Sequence, residues 1–192
     1  MQIHRNAGRH ILILATGALL SGCMSLTPTT PSDTGTAASL TARPAILRSY
    51  TPIAVIKDSV SPENKRKADF FYVSAINGEK VEDSRLKTLA ANRGHGFEMT
   101  PETIARSIPV QETTFTIVGR TEYAAPILTL TNTVYQVTGA ITFTPEASHR
   151  YVVRGKLGED YSAVWIEDEE TGTLVSNKIE TYGSSALGTL DK

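Results

Sequence analysis

Beyond residue 22 the chain has two histidines, His95 and His149, the natural starting points for proton transfer or metal binding. His95 lies between Gly94 and Gly96, where bare backbone would let a ligand approach closely. His149 precedes Arg150 at the start of an extended run. Zinc takes about three or four protein ligands, and neither histidine has a partner at His-x-x-x-His spacing. No metal or cofactor is therefore expected, and both histidines read first as exposed loop side chains, second as contact residues. A Ser-His-Asp set is defined by geometry rather than spacing, but the Gly-x-Ser-x-Gly turn that exposes such a serine is missing. No catalytic residue is assigned.

The carboxylates Glu159-Asp160 and Glu167-Asp168-Glu169-Glu170 invite a calcium reading, yet they lack the alternating Asp-x-Asp-x-Asp-Gly ligand order. A solvated hairpin tip is the expectation. Trp165 alternates with Val164 and Ile166 and shares a strand face with Ala163 and Glu167. As a large aromatic it is expected in the core; on the opposite reading it faces outward and becomes a contact residue, with Tyr161 beside it. Tyr123, Tyr135 and Tyr151 carry the same two readings, with ordinary strand residues expected.

The elements that must position these residues repeat with a period of two. Strands are expected over residues 52–57, 69–76, 97–100, 104–110, 113–118, 133–144, 149–157, 161–168 and 173–179, and residues 122–131 form a further β-rich run. The 69–76 run is apolar on both faces and so belongs in the middle of a sheet. It enters Asn77-Gly78, the strongest short hairpin signal, because both turn positions need positive φ. Residues 61–64 read as a loop. One short helix is expected over 83–92, with Leu86, Leu89 and Ala90 on its buried face. The pattern predicts an all-β domain, a single antiparallel β-sandwich of about seven or eight strands with at most one short helix, over residues 43–182. Residues 183–192 read as a flexible tail.

The chain's only cysteine, Cys23, follows a segment with the three parts of a secretory signal. Arg5 and Arg9 give the positive end, and Ile11–Leu20 is an apolar core about half the ~20 residues that a spanning helix requires. Leu20-Ser21-Gly22-Cys23 resembles the lipobox of bacterial lipoproteins. That resemblance implies cleavage after residue 22 and acylation of Cys23, which leaves no thiol for a disulfide or for catalysis. It also implies a membrane anchor of two or more acyl chains, well beyond the marginal hold of one. Met24 stands where an aspartate favours inner-membrane retention in this family, so the implied location is the outer membrane, facing the periplasm, in a two-membrane cell.

Residues 23–42 are dominated by Thr, Ser, Pro, Ala and Gly without apolar periodicity, a composition that cannot offset its ordering entropy. They read as a tether that holds the domain roughly 25 Å from the bilayer. Loss of residues 1–22 would remove two of 19 basic side chains and none of the 20 acidic ones. The mature chain is therefore weakly acidic, and its largest basic cluster is Lys65-Arg66-Lys67. Nucleic-acid binding is not expected.

The segments Arg106–Val110, Thr116-Ile117 and Thr144-Pro145 to Tyr151–Val153 resemble small immunoglobulin-like and carboxypeptidase-regulatory-like sandwich domains of envelope lipoproteins. Gln111-Glu112 stands in place of the glycine usual in their first turn. The resemblance implies a sandwich fold and nothing about activity. The expected function is that of a non-catalytic lipoprotein, structural or adaptor in type, with two partners: the membrane through lipid on Cys23, and an envelope protein. A glycan-binding module using Trp165 is the alternative, and a small hydrolase using a histidine comes third.

Overall fold

The computed structural model describes residues 52–192. The signal segment, Cys23, the tether and the first residues of the expected domain lie outside the described residues. Within them the chain forms β1 (Ile53–Lys57), β2 (Ser59–Asn64), β3 (Lys67–Ile76), β4 (Glu79–Lys80), α1 (Ser84–Ala91), β5 (Ala105–Pro109), β6 (Thr113–Tyr123), α2 (Pro126–Thr131), β7 (Gln136–Phe143), β8 (Arg150–Lys156), β9 (Tyr161–Asp168) and β10 (Ile179–Tyr182). The first sheet has the order β10-β9-β8-β1-β5; the second has β2-β3-β6-β7, with β4 paired to β3. The fold is mostly β and sandwich-like, as expected.

Several finer expectations are corrected. Ten strands form rather than seven or eight, and β1 pairs with β8 in parallel, so the first sheet is mixed. Alternation reports which face a residue takes and carries no information about strand direction. Residues 61–64 are strand rather than loop: Pro62 is tolerated because β2 is an edge, where a missing N–H costs no ladder bond. Residues 97–100 are turn and irregular chain rather than strand. The 122–131 run breaks at Pro126, which opens α2 as a second helical segment. α1 forms within the expected span, its start capped by the Asp83 side chain on Leu86 N–H, but the face is rotated: Ser84 and Thr88 are buried and Leu86 is exposed. Residues 173–179 contribute one bridge, Glu167 to Leu174, and β10 begins only at Ile179.

The stretch 183–192, read from sequence as a tail, pairs through residues 185–187 with residues 134–136 at the start of β7. Gln136 N–H donates to the Ser185 carbonyl and Leu187 N–H to the Val134 carbonyl. Both bonds satisfy backbone groups next to an edge strand, which would otherwise stay open for pairing.

The interior between the sheets takes Ile56, Ile108, Tyr151, Val153, Val164 and Ile166 from the first sheet and Phe71, Val73, Phe115, Ile117 and Ile141 from the second. β3 sits between β2 and β6 with both faces buried, as its unbroken apolar run predicted. Phe71 fills a slot between two glycines. A Cβ at Gly155 would stand 2.3 Å from the Phe71 ring, and one at Gly119 would stand 3.1 Å away. Where the chain crosses between sheets, buried Asp58 accepts from Val73 N–H at 3.1 Å, Ser84 N–H at 3.0 Å and Arg106 Nη2 at 3.3 Å. One carboxylate thereby ties β3, the start of α1 and β5 together.

Candidate functional site

Two places gather the residues singled out by the sequence, one where the first sheet meets the end of β7 and one on the first sheet's outer face. The first is a cavity of about 490 Å³ between the β7–β8 connection and the turn after β9. Phe143, Tyr151, Leu174 and Val175 give it apolar walls, and Glu146, His149, Asp168, Thr171 and Thr173 give it a polar rim. The antiparallel register of β8 on β9 sets Tyr151 opposite Asp168, which brings His149, just before β8, within reach of that carboxylate. His149 Nδ1 lies 2.8 Å from Asp168 Oδ2, and Nε2 lies 3.5 Å from Glu146 Oε2. Its ring stacks on Tyr151 with centroids 6.1 Å apart.

Asp168 is fixed more firmly than its partner. Its Oδ1 accepts from Glu170 N–H, Thr171 N–H and Thr171 Oγ1 in one tight turn. The Thr171 N–H leads these bonds, and together with His149 they hold the Asp168 carboxyl down to about 2. The Asp168 hydrogen bond pushes the His149 imidazole above its ordinary value, helped by the nearby Glu146 and Glu170 carboxylates. Chemically this is an oriented imidazole between two carboxylates. In a hydrolytic triad the distal ring nitrogen faces a hydroxyl nucleophile; here it faces Glu146.

Two more acidic residues of the run have partners, while Glu170 stays exposed at the turn as the solvated-tip reading expected. Glu169 meets Arg150 at 2.9 Å and Lys57 at 3.6 Å, and Glu167 accepts from Arg154 at 3.1 Å. Among the described residues no group of three or more His, Asp or Glu is arranged to hold a metal ion.

The second place is the outer face of the first sheet. Trp165 is not in the core. Val164 and Ile166 take the interior, and Phe71 already occupies the space over Gly155, the residue paired with Val164. Trp165 is half-buried on the outside. Its Nε1–H donates to Glu167 Oε2 at 2.9 Å, and Lys178 Nζ lies 4.2 Å from its ring centroid. Two residues along β9 from Ala163, Tyr161 shares this face, donates its hydroxyl to Glu180 and packs on Tyr182 with ring centroids 5.3 Å apart. The bond to Glu180 pushes the Tyr161 phenol up to about 12. Tyr182 is 79% exposed. Arg154 stands opposite Trp165 and Lys156 opposite Ala163.

His95 joins neither place. It is exposed in the loop after α1, where Gly94 and Gly96 both adopt positive φ. Of the expected contact residues, Trp165 and Tyr161 therefore come together, His149 forms its own cluster, and His95 stands apart. Glu146, Lys178 and Tyr182 were missed, and Asp168 was read only as part of the acidic run. Glu146 is a local neighbour, three residues before His149, whereas the β8–β9–β10 register brings in the others. No protein-family model, curated protein or solved structure matches this chain.

Proposed function

We propose that this chain is a lipid-anchored envelope lipoprotein, held by acyl chains on Cys23, whose β domain works by contact with an envelope protein rather than by catalysis. In a cell with two membranes its place is the outer membrane, facing the periplasm. The anchor rests on the pattern of residues 1–23. Among the described residues no helix is long and apolar enough to cross a membrane, which is compatible with attachment by lipid alone.

The observation that carries the contact reading is the outer face of the first sheet, which presents Trp165, Tyr161 and Tyr182 among Arg154, Lys156 and Lys178. Aromatic and arginine side chains are the usual anchors of protein interfaces. The edges offer less. β2 and β5 contain Pro62 and Pro109, β10 is four residues long, and the stretch before β7 is paired to residues 185–187. Addition of a partner strand is therefore disfavoured relative to docking on a face.

A glycan-binding module is the second reading, favoured by the outward position of Trp165. It ranks below the first because a sugar stacks on an open ring, whereas Lys178 and Glu167 already engage this indole.

The test places a photo-crosslinking amino acid at position 182 in cells, with captured material identified by mass spectrometry. The expected result is one reproducible envelope protein, lost in Trp165→Ala but retained in a control altered at His95. Capture of only abundant neighbours would overturn the adaptor reading, and capture of glycan would install the second. Cys23→Ser should abolish lipid labelling and change membrane retention; unchanged tight retention would sink the anchor.

A further inference from the structure

We propose that the groove between α1 and α2, beside the second sheet, binds a single-chain anionic amphiphile of the fatty-acid type: an apolar tail that ends in a carboxylate. The proposal goes beyond the adaptor reading and depends on neither the anchor nor the outer face of the first sheet.

Two cavities of about 300 and 590 Å³ meet in this groove, sharing Leu89 of α1 with Ala124 and Pro126 at the entry to α2. Leu130 extends the apolar lining at one end and Met99 at the other. Small-molecule sites are of this size, mostly apolar, with a few placed polar groups. α2 buries none of its own residues, and Leu130 stays 53% exposed.

The polar groups stand at the Leu130 end, where the charges do not balance. Arg85 and Arg120 both donate through Nε to the same oxygen of buried Glu122. Two guanidinium groups thus share one carboxylate, although their side chains are only 24% and 12% exposed. A cation held so far from water is ordinarily matched by an anion. Arg120 spends Nη1 on Gln136 Oε1, a neutral acceptor. Arg85 has no acceptor besides Glu122 among the described residues, so both of its Nη nitrogens are left without a bond. Asp83, two residues before Arg85, is spent on the Leu86 N–H that it caps. Lys192 lines the same end, and its Nζ donates to the carbonyls of Leu130 at 3.4 Å and Asn132 at 2.7 Å, neutral acceptors that leave its charge unmatched.

The chemistry of the ligand follows from that imbalance. A carboxylate takes two parallel N–H bonds from a guanidinium edge. Glu122 already fixes Arg85 through Nε, so the free Nη edge is oriented before a ligand arrives and little ordering is left to offset binding. A small anion would pair with Arg85 and leave the apolar lining wet. A neutral or cationic amphiphile would cover the lining and leave the guanidinium unmatched. A molecule with both ends satisfies both, its head on Arg85 and Lys192 and its tail running past Leu89 toward Met99.

The test uses the whole chain, made by cell-free synthesis without lipid or detergent and labelled with carbon-13 at the methionine methyls. Dodecanoate, added below its micelle concentration near neutral pH, should shift the Met99 methyl signal saturably. Dodecylammonium, with the same tail and the opposite head, should bind at least about tenfold more weakly, and Arg85→Gln should weaken dodecanoate by about the same factor, as expected for the loss of one charge-assisted pair. Because Arg85→Gln also disturbs Glu122, Leu130→Asp supplies a second variant at an exposed position. It should weaken dodecanoate at least about tenfold and dodecylammonium less, since the new carboxylate repels only the anionic head. Phosphatidylglycerol vesicles offer the same chemistry as a surface. Sedimentation with them that is lost in Arg85→Gln, without a saturable dodecanoate shift, would assign this region to a bilayer and overturn the groove. An unmoved Met99 signal, equal affinity for the two heads, or dodecanoate binding that neither variant weakens would overturn it as well.

Discussion

The two outer faces of the sandwich solve the same problem in opposite ways. On the second sheet Ala68, Phe70, Tyr72 and Val118 point away from the shared interior and are covered by other parts of the chain, with Met99 and Ala124 packed against them. Beside them Glu122, 3% exposed, pairs with both Arg85 and Arg120, and Arg120 reaches Gln136 at 2.6 Å. Among the described residues the first sheet has no such cover. There the apolar residues Val152 and Ala163 are shielded among Arg154, Lys156, Trp165 and Lys178, whose long stems cover apolar surface while their heads stay wet. A layer of backbone is permanent. A layer of side chains can be rearranged by a partner, which is why the contact reading belongs to the first sheet.

The comparison breaks most readily at the covered face. Phe70→Ala removes a ring that is 1% exposed and should cost about 3–5 kcal/mol of stability, read by urea unfolding. Glu122→Gln leaves Arg85 and Arg120 without their carboxylate and should cost on the order of 3 kcal/mol, while Arg85→Ala in the same background should cost less than it does alone.

A third prediction uses pH. Burial pushes Asp58 up to about 6, although Arg106 and two amide donors pull it down. Its folded value lies above its unfolded one, so the folded state holds the extra proton. Stability from this group is full in acid and is lost as pH rises from about 4 toward 6. The cost of Asp58→Asn should accordingly be larger at pH 4 than at pH 7. An opposite trend would show that Arg106 outweighs burial.

The smallest effects belong to the open face. Trp165→Ala should cost about 1 kcal/mol or less while abolishing partner capture, and Lys178→Ala about 0.5 kcal/mol with a change in emission from the only tryptophan. A cost for Trp165→Ala as large as that for Phe70→Ala would make this face a structural layer and remove the reason for assigning a partner to it.

The tryptophan also shows where sequence reading stops. Alternation along 161–168 put Trp165 and Ile166 on opposite faces, and that division holds. Which face is interior depends on Phe71 and Gly155, residues from two other strands that leave no space for an indole. The His149 cluster was equally illegible, because a histidine and an aspartate 19 positions apart carry no motif until β8 and β9 pair. In α1 the span of the helix was legible, whereas its buried face was decided by what it docks against.

What the sequence determined by itself is what short-range chemistry controls: strand periodicity over most of the domain, the Asn77-Gly78 turn with φ of 50° and 83°, the short helix α1 and the central place of β3. Tertiary structure alone decided the parallel β1–β8 pair, the interior side of β9, the covering of the second sheet and the pairing of His149 with Asp168. Each of these depends on which distant segments compete for the same space and the same hydrogen bonds, and that competition is settled only when both sheets close on a common core.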